Sequence, residues 1–154
     1  MLKSKHLIGL EHFPVSDLNK IIDTSFKFKD ILQTESRKAI LLKGKTIVNM
    51  FFENSTRTKI SFSLAEKRLG ADSINFSAST SSVKKGETLK DTVQNIESMK
   101  IDGAVIRHGH PGSALKLTEY IDGAVINAGD GSHEHPTQAI LDVVTLKEKF
   151  GKIK

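Results

Sequence analysis

Ser55-Thr56-Arg57-Thr58 concentrates three hydroxyls and a guanidinium in four consecutive residues, with Lys59 next. The preceding run Thr46-Ile47-Val48-Asn49-Met50 reads as a buried strand, and Ile60 to Leu69 has helical spacing that stops at Gly70. The cluster therefore sits where a strand turns into a helix. The first N–H groups of a helix lack internal acceptors and its dipole makes that end positive, which suits a phosphate. An ordinary helix start needs only one Ser or Thr as a cap, so the whole cluster points to an anion site. Three more polar clusters lie downstream: Ser81, Lys84 and Lys85; Arg107-His108; and His133, His135, Thr137 and Gln138. Arg57, Lys85, Arg107, His135, Thr58 and Gln138 are cationic and neutral donors. Such a set stabilises charge developing on a phosphate and on a carbonyl oxygen. It fits a substrate that already carries a phosphate leaving group and needs positioning. The chain has no Ser-His-Asp or Cys-His set. His108, His110, His133 and His135 raise the question of zinc, but a helix and a strand separate the two pairs and no carboxylate motif completes a ligand set. No metal is expected, and Asp130 and Asp142 read as turn and helix residues.

The elements that must position these residues follow from periodicity. A first helix starts at Phe13-Pro14-Val15-Ser16-Asp17, with Ser16 as N-cap and Leu18, Ile21, Ile22, Phe28 and Leu32 on one face. Residues 35–43 form a linker. The first strand is about Thr46 to Phe52, and Ser73 to Phe76 is the second. Ser77 to Lys85 is too small and polar to be core and reads as a mobile loop. Gly86-Glu87-Thr88 opens a helix with Leu89, Val93, Ile96 and Met99 on one face. Ile101-Asp102-Gly103-Ala104-Val105-Ile106-Arg107 is echoed twenty residues later by Ile121-Asp122-Gly123-Ala124-Val125-Ile126-Asn127. That spacing fits two equivalent buried parallel strands, 103–107 and 123–127, joined by a helix over 113–120. The last helix opens at Pro136, a good first-turn residue, and runs to about Phe150 with Leu141, Val144 and Glu148 in step. The expected fold class is α/β, a four-stranded parallel sheet flanked by helices on both faces. Parallel strands put every polar cluster at one carboxyl edge, where open α/β sheets bind ligands.

Composition narrows the partner classes. The 154 residues suffice for one domain with its own core, 38% are hydrophobic and the net charge is +5. One Tyr and no Trp make a base-stacking platform for nucleic acid a poor fit. The absence of Cys excludes disulfides, thiolate zinc sites and a Cys nucleophile. Residues 1–6 do not read as a signal peptide and no apolar run approaches membrane-spanning length. No membrane partner and a cytoplasmic location are expected.

The chain resembles the carbamoyl-phosphate-binding domain of the aspartate carbamoyltransferases. The matching segments are 52–58 (Phe-Glu-Asn-Ser-Thr-Arg-Thr), 84–92 (Lys-Lys-Gly-Glu-Thr-Leu-Lys-Asp-Thr), 105–108 (Val-Ile-Arg-His), 127–131 (Asn-Ala-Gly-Asp-Gly) and 135–138 (His-Pro-Thr-Gln). They keep the family's order and spacing and span nearly the whole chain. Ser-Thr-Arg-Thr and His-Pro-Thr-Gln are shared with ornithine carbamoyltransferases, whereas Lys-Lys-Gly-Glu-Thr points to the aspartate branch.

The resemblance implies a Rossmann-like half of a two-domain transcarbamylase. It implies transfer of the carbamoyl group from carbamoyl phosphate to the amine of L-aspartate, in pyrimidine biosynthesis, without cofactor or metal. Ser55, Thr56, Arg57 and Thr58 would hold the phosphate. Arg107 would bind phosphate and the carbamoyl oxygen. Thr58 and His135 would donate to that oxygen, and Gln138 would orient the carbamoyl amide. Thr58, Arg107 and His135 are the expected catalytic residues. Ser81 and Lys85 would reach into the neighbouring subunit's site of a homotrimer, Lys85 also meeting aspartate; a regulatory chain is a further partner the family allows. Residues 1–150 would be the carbamoyl-phosphate-binding domain, with 151–154 starting the connection to an aspartate-binding domain. By themselves the 154 residues are expected to be inactive. The alternatives are an ornithine-type carbamoyltransferase domain and a non-catalytic phosphate-binding module.

Overall fold

The computed structural model describes residues 2–77 and 88–152. Helix α1 (Val15–Leu32) precedes four strand–helix steps: β1 (Thr46–Phe51), α2 (Thr56–Leu69), β2 (Asp72–Ser77), α3 (Leu89–Glu97), β3 (Gly103–His108), α4 (Ser113–Leu117), β4 (Ala124–Asp130) and α5 (Pro136–Phe150). The strands form one parallel sheet in the order β2-β1-β3-β4. The chain leaves β1 toward one edge and β3 toward the other. Loops diverge between these two central strands, leaving a crevice at their carboxyl ends.

Strand alternation sorts the core into two layers. Val48, Met50, Ala104, Ile106 and Val125 pack with Val93 and Ile96 of α3 and Ala114 and Leu117 of α4. Phe51, Val105 and Ala128 pack with Phe62 of α2 on the opposite face. Helices thus cover both faces, as the apolar strands require. Gly70 ends α2 in the left-handed conformation at φ 83°, where a residue without Cβ carries no steric penalty.

Several local expectations are corrected. Pro14 occupies the N-cap position of α1, and Ser16 lies within the first turn. The buried carboxylate of Asp17 instead accepts the Lys3 and Ser4 N–H groups, both at 2.8 Å. Met99 falls beyond α3 and is 71% exposed; Ile101 takes the core place. A capping box between Thr88 and Asp91 starts α3. Helix α4 stops at Leu117, three residues before the expected end, and β4 continues to Asp130. In α5 the buried residues are Pro136 and Ile140, while Leu141 is 56% exposed. The segment before α1 joins the sheet unannounced: the Leu7 N–H donates to the Val125 carbonyl (2.9 Å) and the Asn127 N–H to the Leu7 carbonyl (2.8 Å).

One buried polar group lies between β1, β2 and α2. Glu66 is 6% exposed; its Oε2 accepts from Asn49 Nδ2 at 2.8 Å and from the Ser73 hydroxyl. Its Oε1 has no hydrogen-bond partner among the described residues. Burial raises the carboxyl's pKa, and the bonds from Ser73 and Asn49 oppose that rise only in part. An acid whose pKa is raised in the folded state favours folding while protonated, and that contribution is lost as pH rises through the folded value. Glu66→Gln should therefore gain stability over the parent on going from mildly acidic to alkaline pH. Denaturant unfolding across that range is the check; a difference that does not change with pH would refute the burial cost.

Candidate anion-binding site at the carboxyl edge

The turn after β1 carries the first cluster. Ser55 holds the N-cap position of α2 in non-helical geometry (φ −145°, ψ 80°), yet its side chain makes no capping hydrogen bond. Arg57 is exposed and Thr58 half-buried in the first turn, where the helix presents unsatisfied N–H groups and positive potential.

Arg107 comes from the end of β3, with its side chain 26% exposed. Its Nη1 donates to the Ala128 carbonyl at 2.9 Å. Its Nε lies 3.5 Å from Glu53 Oε2, an ion pair outside hydrogen-bonding geometry, so that buried N–H has no hydrogen-bond partner among the described residues. Gly129 (φ +113°) makes room for the guanidinium: a Cβ there would lie 2.5 Å from Nη1.

His135 caps α5, with buried Pro136 at the first helical position. Its Nδ1 lies 3.2 Å from the Thr137 hydroxyl. Burial lowers its pKa and the positive charge of Arg107 lowers it further, against an opposing backbone hydrogen bond. The ring is therefore held neutral at ordinary pH. With the Thr137 hydroxyl donating to Nδ1, the Nε2–H remains as the ring's donor.

These side chains converge unequally. Arg57, Thr58, His135 and Gln138 line one cleft of about 420 Å³ between α2 and α5, walled by Phe62 and Leu141. Arg107 and His135 share an adjoining hollow of about 210 Å³ with Gly129. Ser55 and Thr56 line a separate depression of about 290 Å³ with Glu53 and Lys59. Gln138 already spends its Nε2 on Asp142, 2.9 Å away in the same helix. Ser81 and Lys85 lie outside the described residues. His108 is taken up by the turn after β3: its Nδ1 accepts the His110 N–H at 3.0 Å and its ring packs on Phe52 at 5.0 Å. Among the described residues no group of three or more His, Asp or Glu converges as a metal site.

In the sequence Asn127 and Asp130 figure only as members of the 127–131 segment, with Asp130 as a turn residue, and Glu134 has no role, although the three frame the site. A fully buried Asn at the end of an apolar strand, at the echo position of Arg107, was the available signal.

Fold and site together define a doubly wound α/β domain that gathers cationic and neutral donors at its switch point, the arrangement of an anion-binding half-site. Residues 5–148 match the aspartate/ornithine carbamoyltransferase, carbamoyl-P binding domain, and the chain belongs to that family. It is 52% identical to the aspartate carbamoyltransferase catalytic subunit of Christiangramia forsetii, over 99% of this chain and 49% of the relative. The corresponding subunit of Flavobacterium psychrophilum is 51% identical, with the same coverage. Among solved structures, Trypanosoma cruzi aspartate transcarbamoylase in complex with carbamoyl phosphate superposes with a TM-score of 0.89 at 34% identity, covering 98% of this chain and 46% of that one. The catalytic subunit of M. jannaschii aspartate transcarbamoylase gives 0.87 at 41% identity, covering 97% and 48%. The chain spans about half the length of the curated relatives it matches.

Proposed function

We propose that this chain is the carbamoyl-phosphate-binding half of an aspartate carbamoyltransferase, acting in pyrimidine biosynthesis in the cytoplasm. The observation that carries this is the meeting of Arg57, Thr58 and His135 in one cleft, with Arg107 joined to it through His135. In this reading the phosphate sits at the α2 N-terminus on Ser55, Thr56, Arg57 and Thr58. Arg107 reaches phosphate and carbamoyl oxygen, and Thr58 and His135 donate to that oxygen. Gln138 orients the carbamoyl amide once its amide leaves Asp142. The aspartate amine attacks the carbonyl carbon, negative charge collects on the oxygen, and the C–O bond to phosphate breaks. Donors fixed before reaction stabilise that oxygen without reorganisation. Ser81 and Lys85 act in the neighbouring subunit's site of a homotrimer, which a regulatory chain can join. Aspartate rather than ornithine as acceptor is supported by the naming of the relatives and by the Lys84-to-Thr88 segment.

Calorimetry with carbamoyl phosphate tests the binding step assigned to this chain. Arg57→Ala should weaken binding by about ten- to a hundredfold, the scale of a charge-assisted contact of roughly 1.5–3 kcal/mol. Unchanged affinity would remove Arg57 from the phosphate site.

A further inference from the structure

Asn127-Ala128-Gly129-Asp130 takes no part in the roles assigned above, yet it touches the groups that carry them. On β3 and β4, Ile106 pairs with Asn127 and His108 with Asp130. Two steps along β3 therefore face three along β4, and the extra residue makes a bulge. Bulges bend a strand and re-aim the side chains opposite. The residue opposite this one is Arg107, whose Nη1 meets the Ala128 carbonyl at 2.9 Å and lies where Gly129 has no side chain.

The bulge is held from inside. Asn127 is completely buried. Its Oδ1 accepts the Gly129 N–H at 2.8 Å. Its Nδ2 donates to the Ile8 carbonyl (2.9 Å), to Asp130 Oδ1 (2.8 Å) and more distantly to the Glu134 carbonyl (3.3 Å). Asp130 is 1% exposed and accepts the Gly112 N–H at 2.8 Å and the Glu134 N–H at 3.3 Å, with His133 Nδ1 3.1 Å from both oxygens. Burial alone would raise its pKa, but these donors outweigh burial and hold it below the ordinary carboxyl range. One pair thus reaches the turn beside Arg107, the loop 131–134 that leads into His135, and the start of α4.

We propose that Asn127 and Asp130 are positioning residues: their buried hydrogen-bonded pair holds the β4 bulge that aims Arg107 and the loop that presents His135. Neither residue lines the cleft with Arg57 and His135. Their effect on ligand passes through those two side chains, so this part rests on the function proposed above. Inorganic phosphate and carbamoyl phosphate share the cradle at α2 and one contact with Arg107, and only the latter adds a carbonyl oxygen for Arg107 and His135 together, so it loses more when their aim is lost. The ratio of their affinities therefore reads the aim of the pair rather than the integrity of the fold.

The test compares the full chain with Asp130→Asn, which keeps shape but puts an N–H₂ against the Gly112 or the Glu134 and Asn127 donors. Calorimetry with both ligands should show the preference for carbamoyl phosphate falling about tenfold, the scale of one charge-assisted bond. NMR titration of the ring nitrogens should show His135 moving up toward the ordinary histidine value as Arg107 shifts away. If both affinities fall by one factor while the His135 titration stays put, the pair is merely structural and the proposal is overturned. If the parent chain shows no preference for carbamoyl phosphate, the proposed function fails instead, and the ligand-free His135 titration alone decides the positioning role. Should Asp130→Asn not fold, Asn127→Ser puts one shorter hydroxyl in place of the amide oxygen and its two N–H donors, cannot satisfy the Gly129 N–H, Ile8 and Asp130 together, and must produce the same two shifts.

Discussion

Replacing His135 by alanine should slow carbamoyl transfer by about a hundredfold or more, the usual cost of removing one oxyanion donor, with a smaller loss of phosphate binding. The expectation rests on where the ring stands. It lines both the cleft that holds Arg57 and Thr58 and the hollow that holds Arg107. Burial and the neighbouring guanidinium lower its pKa, and with the Thr137 hydroxyl donating to Nδ1 the ring proton stands on Nε2. A neutral donor placed before reaction strengthens its bond as charge grows on the carbonyl oxygen, whereas it contributes little to a phosphate already held by Arg57. The loss should therefore fall on kcat more than on affinity. Turnover is measured with this chain fused to the half of the Christiangramia forsetii relative that it does not match, and carbamoyl phosphate affinity by calorimetry on the same variant. Equal losses in kcat and affinity would make His135 a scaffold residue.

The sheet and its helices were legible because their signals are local. Short apolar runs closed by polar loops mark buried parallel strands, and α5 begins at Pro136 and ends at Phe150 as its spacing implies. The echo of residues 101–107 and 121–127 does correspond to two adjacent parallel strands. Boundaries failed where tertiary contacts overrode periodicity. Met99 has helical spacing but falls beyond the end of α3, and Ser16, expected as the N-cap of α1, lies inside its first turn behind Pro14. The site was half legible. Arg57, Thr58, Arg107 and His135 stood out because charge and hydroxyls at strand ends are unusual by type alone. Asn127 and Asp130 did not, since a buried amide and carboxylate are recognised by their partners, here Ile8, Gly112 and Glu134, which lie far from them in sequence or offer only backbone. A one-residue bulge leaves no periodic trace, so the aim of Arg107 could not be read before the strands were paired.

The 154 residues assayed by themselves should bind carbamoyl phosphate weakly and form no detectable carbamoyl-aspartate. In the proposed function the described residues supply the donors for phosphate and carbonyl oxygen, and the cleft gathers them: Arg57 and Thr58 at α2 and His135 with Arg107 across the crevice. Aspartate brings two further carboxylates, and both arginines near the cleft are already assigned to the phosphate end. The remaining wall of the cleft is Phe62, Ala65 and Leu141 with the hydroxyls of Ser61 and Thr137, and none of these five carries a positive charge to hold a carboxylate. Leu141 is 56% exposed there, so water reaches the space an acceptor would occupy. An amine that is neither bound nor aligned must arrive by collision, and positioning accounts for up to roughly 7–11 kcal/mol of a two-substrate reaction. A loss of that size puts any residual rate below detection, even with the phosphate end intact. Fusion to an acceptor half from a relative should restore turnover without changing carbamoyl phosphate affinity by more than about tenfold, apart from any tightening on closure. The check is a product assay on the chain alone and on the fusion, run beside calorimetry on both. Turnover by the chain alone near that of the fusion would mean that these residues also bind aspartate, and would overturn the division of labour between the two halves.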